Sequence, residues 1–145
     1  MADPIAELAA RGPRAEGHAD AVVRALTAVR DGARRHGDGP FDDPDLELLQ
    51  GDAQYAAGLS ELAQVGDLTA IAELAEVISL VAAARARGDA ELAEAAWEAG
   101  AAGIGWGPSP ELIGARARAR AGETGAAGAL RRAARQLTSE MASGR

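Results

Sequence analysis

Apolar residues recur at three- and four-residue intervals in successive blocks of this chain, and no segment alternates with the period of two that marks a strand. Punctuation falls between the blocks. Asp3-Pro4, Asp43-Pro44 and Ser109-Pro110 each place a capping residue before a proline. Proline suits the first helical position, where its missing N–H costs nothing. Gly66-Asp67 and Gly88-Asp89 read as joints, with Gly ending one helix and Asp capping the next. These signals predict helices over 4–10, 15–35, 44–65, 68–87, 90–102, 110–121 and 125–140, with loops at 36–43 and 103–109. The expected fold is all-α: an antiparallel bundle of six to seven helices in one domain, 1–145. Its expected core is 15–121, with 1–14 and 141–145 peripheral.

The tight joints make the third to fifth helices antiparallel neighbours and the expected centre of the bundle. In the fourth, Ile71, Leu74, Ala75, Ile78, Val81 and Ala82 share a face, with Glu73 and Glu76 opposite. Leu80 falls among the acids. A lone Leu there is ordinarily exposed, or marks a second contact surface.

The third block carries a conflict. At a helical period Leu48, Leu49, Tyr55, Ala56, Leu59, Leu62 and Ala63 share a face, and Asp52 points into it. A buried carboxylate must be protonated, hydrogen-bonded, ion-paired or metal-bound. Its expected donors are an Arg, or an indole N–H of Trp97 or Trp106. Gly51 and Gly58 line one side of the same helix and signal another backbone packed close.

Alanine carries much of the apolar content, so helices should approach closely. Only Phe41, Tyr55, Trp97 and Trp106 are aromatic. There is no Cys, hence no disulfide framework or thiolate metal site. Residues 1–12 carry Asp3 and Glu7 without an apolar run, unlike a signal peptide. The longest apolar stretch, 68–84, contains Glu73 and Glu76 and reads as a core helix rather than a membrane span. A cytoplasmic location is expected.

The net charge is −7, unevenly spread. Residues 36–84 hold ten carboxylates and no Arg, while 111–145 hold seven Arg and three Glu. Such blocks form solvated faces, or dock head to tail within the chain or between subunits. The basic tail has no aromatics for stacking on bases and the chain is acidic, which argues against nucleic acid.

Other candidate sites have plainer explanations. Asp42, Asp43 and Asp45 crowd a helix start, where carboxylates favour the dipole; they are also a candidate Mg²⁺ site. His18 and His36 lie about 27 Å apart along an unbroken helix, too far to share a metal. They read as packing or cap residues. The 103–109 segment, with Trp106 and Ser109, is a candidate anion loop at a helix start. It lacks the preceding strand, the Lys and the glycine spacing of a phosphate loop. A turn with Trp106 folded over the bundle is the plainer reading.

Residues 48–56, Leu-Leu-Gln-Gly-Asp-Ala-Gln-Tyr-Ala, resemble the polyprenyl diphosphate synthase helix in which a leucine-rich approach leads to Gly-Asp. The resemblance runs more loosely to residue 103. It implies an α-helical isoprenoid-synthase fold, in which two Asp-rich motifs hold Mg²⁺ and an allylic diphosphate. Only Asp52 carries over by motif. Asp42-Asp43-Pro44-Asp45 departs from the first Asp-rich motif in spacing, and no second motif follows. What the resemblance then implies is a relative of the family's non-catalytic small subunits. Separately, Leu80, Gly88-Asp89, Ala93, Trp97 and Gly100 resemble one tetratricopeptide hairpin at 80–100, although such arrays need several units.

The expectation is therefore a non-catalytic helical accessory protein without a cofactor. It would bind a protein partner or itself, and the resemblance implies a partner subunit of an isoprenoid-type synthase. The alternative is a small Mg²⁺–diphosphate-binding enzyme or binding domain centred on Asp52.

Overall fold

The computed structural model describes residues 3–37 and 39–142, with side chains through residue 139. The fold is all-α as expected: seven α-helices and no strand occur among the described residues. They are α1 Pro4–Ala10, α2 Ala19–Gly37, α3 Pro44–Gln64, α4 Leu68–Ala86, α5 Ala90–Trp106, α6 Pro110–Arg120 and α7 Ala126–Ala142. A single 3₁₀ turn, Pro13–Ala15, joins α1 to α2.

The helix starts follow from local chemistry. Asp3, Asp43, Asp67, Asp89 and Ser109 each accept a hydrogen bond from a backbone N–H in the first turn of the next helix. At the α3–α4 joint Gly66 takes φ +74°, a conformation other residues resist. This frees the Asp67 N–H to reach the Leu62 carbonyl at 3.1 Å, closing the helix end.

The centre of the bundle is α5, which is buried almost all round. It packs against α1, α4 and α7, with α2 beyond α1. The expected centre at α3 to α5 is thus corrected. α3 lies outermost, packed chiefly on α2, and meets α4 much less. α6 lies outside, against α7 and α4. α5 also runs on through 103–106, expected as loop, before Gly107 ends it.

The N-terminal segment is not peripheral as expected. Ile5, Ala6 and Ala9 are buried because α1 fills the seam between α2 and α5. Beyond residue 121, Leu130, Ala133 and Leu137 of α7 join the same core. Of the expected peripheral 141–145, residues 143–145 lie outside the described residues, as do the side chains of 141 and 142.

The faces of α3 and α4 differ from those expected. α3 buries Gly51, Gly58 and Leu62, leaving Leu46, Leu48 and Leu49 exposed. The glycines explain this. A Cβ on Gly58 would lie 2.7 Å from the Ala25 carbonyl oxygen, and one on Gly32 2.8 Å from that of Gly51. The two backbones touch, as the spacing of Gly51 and Gly58 implied. α4 buries Glu73, Leu74, Val77, Leu80, Val81 and Ala84. Leu80 is only 2% exposed, because α4 is covered by α5 and also by α6.

Candidate functional site

Asp52 is not buried. Its side chain is 70% exposed at the rim of the α2–α3 contact. The buried glycine beside it turns the next residue outward by about 100°. Its partner is neither Arg nor indole. His36 Nε2 lies 3.0 Å from Asp52 Oδ1 and 3.3 Å from the Leu48 carbonyl oxygen. Both are acceptors, so this nitrogen carries the proton. The ring meets Tyr55 edge-on, centroids 4.8 Å apart. Burial raises the Tyr55 pKa, the Arg85 charge opposes this and the Asp52 charge adds to it.

The buried aspartate is Asp67, its side chain 4% exposed. Arg14 donates to Asp67 Oδ1 at 2.8 Å, as does the Ala70 N–H at 3.0 Å. His18 Nε2 donates to Oδ2 at 3.2 Å. A second Arg14 nitrogen donates to the Ile104 carbonyl at 2.9 Å. The cluster ties the start of α4 to the end of α5 and the entry to α2. Burial raises the Asp67 carboxyl, but the hydrogen bonds from Arg14, Ala70 and His18, with the Arg14 charge, hold it below the usual value. Asp3 repeats the pattern. Burial raises it, while Arg30, the Ile5 N–H and Arg34 lower it to a net depression.

The acid cluster is a helix cap. Asp43 accepts from the Leu46 N–H at 3.2 Å; Asp42 and Asp45 are exposed. Among the described residues no three of His, Cys, Asp or Glu converge as a metal site, so no Mg²⁺ donor set gathers around Asp52. At the other candidate, Ser109 Oγ accepts the Leu112 N–H at 3.1 Å and is committed to capping. Trp106 is the last residue of α5 and packs on the core. Trp97 is buried, with the Arg30 guanidinium 5.1 Å above its ring.

The opposed charge blocks dock in part within the chain. Arg116 and Glu73 meet at 2.9 Å between α6 and α4, both buried. Their angles are poor for a hydrogen bond, so the contact is an ion pair. Arg120 pairs with Glu76 one turn on. Arg24 and Arg35 of α2 hold Glu61 and Glu47 of α3.

This pairing leaves an uncharged outer surface. Among exposed positions from 46 to 86, Asp52 is the only charged residue. Leu48 and Leu49, the latter at 67% exposure, are exposed in the same half of α3, and Val65 and Leu68, the latter at 75%, are exposed at the α3–α4 joint. Alanines fill much of the rest. A second feature is a groove of about 880 Å³ between α6 and α7. Neither was legible beforehand. The helical period puts Leu48 and Leu49 on the apolar face, and the groove depends on how α6 meets α7.

No family model, curated protein or solved structure matches the chain. No helix among the described residues is long and apolar enough to cross a membrane.

Proposed function

We propose that this protein is a non-catalytic helical assembly module that binds protein, either itself or a partner subunit. One observation carries the reading. Between residues 46 and 86, in a chain that is 26% charged, Asp52 is the one charged residue among the exposed positions, while Leu46, Leu48, Leu49, Val65 and Leu68 are exposed. Soluble proteins rarely expose contiguous apolar patches above a few hundred Å² unless something covers them. α3 and α4 are about 30 Å long, long enough for a two-helix face near the roughly 800 Å² per partner of a stable interface.

The likeness of residues 48–103 to the helical core of polyprenyl diphosphate synthases suggests such a synthase as partner class. The alternative, a Mg²⁺–diphosphate site on Asp52, has less support. Asp52 is exposed and engaged by His36, and no group of three His, Cys, Asp or Glu converges there among the described residues.

The test is a tagged pull-down with mass measurement, run beside sedimentation of the pure chain. A stoichiometric partner, or a self-assembled mass, is expected. Leu49→Glu combined with Leu68→Glu should abolish it while the helical signal persists. A strict monomer at high concentration that captures nothing would overturn the reading.

A further inference from the structure

The groove between α6 and α7 has the form of a helix seat. Its wall on α6 is Glu111, Gly114, Ala115 and Arg118, spaced three, four and seven residues from the first. Ala129, Arg132, Ala133 and Gln136 repeat that spacing on α7. Two such rows form the open side of a three-helix contact.

Gly114 gives an independent indication. Glycine inside a helix weakens it relative to alanine. Where α2 meets α3, glycine is required because a Cβ would strike the neighbouring helix. At Gly114 a Cβ would meet nothing within 4 Å. The folded monomer has no use for this glycine, whereas a helix laid in the groove would. Ile113 beside it is 60% exposed.

Charge selects the occupant. Most described arginines hold a carboxylate or a carbonyl; Arg11, Arg132 and Arg135 have no such partner among the described residues, and the last two line the groove. The same chain carries an exposed helix stripe of opposite character. Leu46, Leu49 and Ala53 are exposed at the start of α3, flanked by Asp42 and Asp45, which have no described ion partner. From Leu46 to Ala53 is two helical turns, the same span as Glu111 to Arg118. Glu111 repels acids at one end of the groove, so the aspartates belong toward Arg118 and Arg132.

We infer that the α6–α7 groove seats α3 of a second copy, joining chains head to tail. α3 is fixed on α2 of its own chain, so its stripe is free for a neighbour's groove. Such a contact is heterologous and repeats into a ring or an open chain. This rests on the assembly-module reading and specifies its partner.

Sedimentation at low salt tests it with two charge-reversed variants. Arg132→Glu with Arg135→Glu reverses the groove; Asp42→Arg with Asp45→Arg reverses the helix. Each alone should lose assembly while melting like the parent. Their equimolar mixture should assemble again, because each reversed surface then meets its complement. Assembly of the parent should weaken as salt rises. Gly114→Leu, which fills the groove, should abolish assembly without lowering the melting temperature. If the parent assembles but each reversed variant assembles equally well, the head-to-tail contact is wrong and the general reading stands. Loss in both variants without rescue on mixing also overturns it. A groove that instead captures an acidic helix of another protein, with the parent monomeric, overturns self-association alone. A monomeric parent that captures nothing overturns both readings.

Discussion

At Gly51-Asp52 the glycine is buried and the acid stands in water; at Gly66-Asp67 the glycine is in water and the acid is buried. The dipeptide is the same, but its position relative to the helix ends differs. Inside a helix, glycine is useful to a neighbouring backbone, and here α2 comes into contact with it. The following residue is carried about 100° round the helix, away from that contact. At a joint, glycine supplies the left-handed turn and needs no neighbour. The aspartate then starts a helix that points into the bundle, and its carboxylate finds Arg14 and His18 as well as its own helix N–H. Whether the Gly or the Asp carries the stability should therefore reverse between the two pairs.

The largest effect is expected at Asp67. Asp67→Ala removes a cap and strands Arg14, costing about 2–4 kcal/mol. The melting temperature should fall by roughly 5–12 °C. Asp67 also gives a pH signature. Its folded pKa lies below the unfolded value, so its contribution is complete above the unfolded value of about 4. That contribution is lost as pH falls through the depressed folded value. Denaturation of parent and Asp67→Asn should therefore diverge above about pH 4 and converge below it. A gap that stays constant with pH would mean Asp67 is not held as a carboxylate.

Next comes Gly51→Val, which forces a side chain against His36 and the Gly32 carbonyl. The expected cost is about 1–3 kcal/mol by denaturant unfolding. Gly66→Ala should cost about 1 kcal/mol, because only the backbone conformation at φ +74° is strained and the space around it is open. If Gly66→Ala proved worse than Gly51→Val, the α2–α3 contact would be looser than it is drawn.

Sequence reading succeeded where the physics is local. Asp3-Pro4, Asp43-Pro44, Ser109-Pro110 and the two joint aspartates announce helix starts through bonds that span two or three residues. It failed where the choice is between faces of similar bulk. On α3, hydrophobicity favoured the side bearing Leu48 and Leu49. The fold buries the glycine side, because close backbone approach brings more atoms into contact than leucines held at a distance. Leu80 and Glu73 were misplaced for a related reason, since Arg116, which makes the acid tolerable there, lies on a helix distant in sequence. The end of α5 was missed because glycine density at 103–107 reads as loop. Gly105 is nevertheless helical, and a Cβ there would lie 2.6 Å from the Ala9 carbonyl oxygen.

The smallest stability effect is expected at Asp52, and it bears most directly on function. Its pair with His36 is exposed on the acid side, so Asp52→Ala should cost about 0–1 kcal/mol. Asp52→Asn should cost less still, since the amide oxygen can accept the same hydrogen bond from His36 Nε2. Removing Asp52 leaves the ion-paired Glu47, Glu61 and Glu76 as the partly exposed carboxylates of α3 and α4. If a protein covers the outer face of these helices, Asp52→Ala should assemble as well as the parent or better, because the acid no longer has to be desolvated. If Asp52 instead serves a Mg²⁺–diphosphate site, the two ligands together should raise the parent's melting temperature, since they would bind only the folded chain. That rise should vanish in Asp52→Asn. The expected result is no rise in either protein. A rise specific to the parent would exchange the assembly reading for the ligand-binding one.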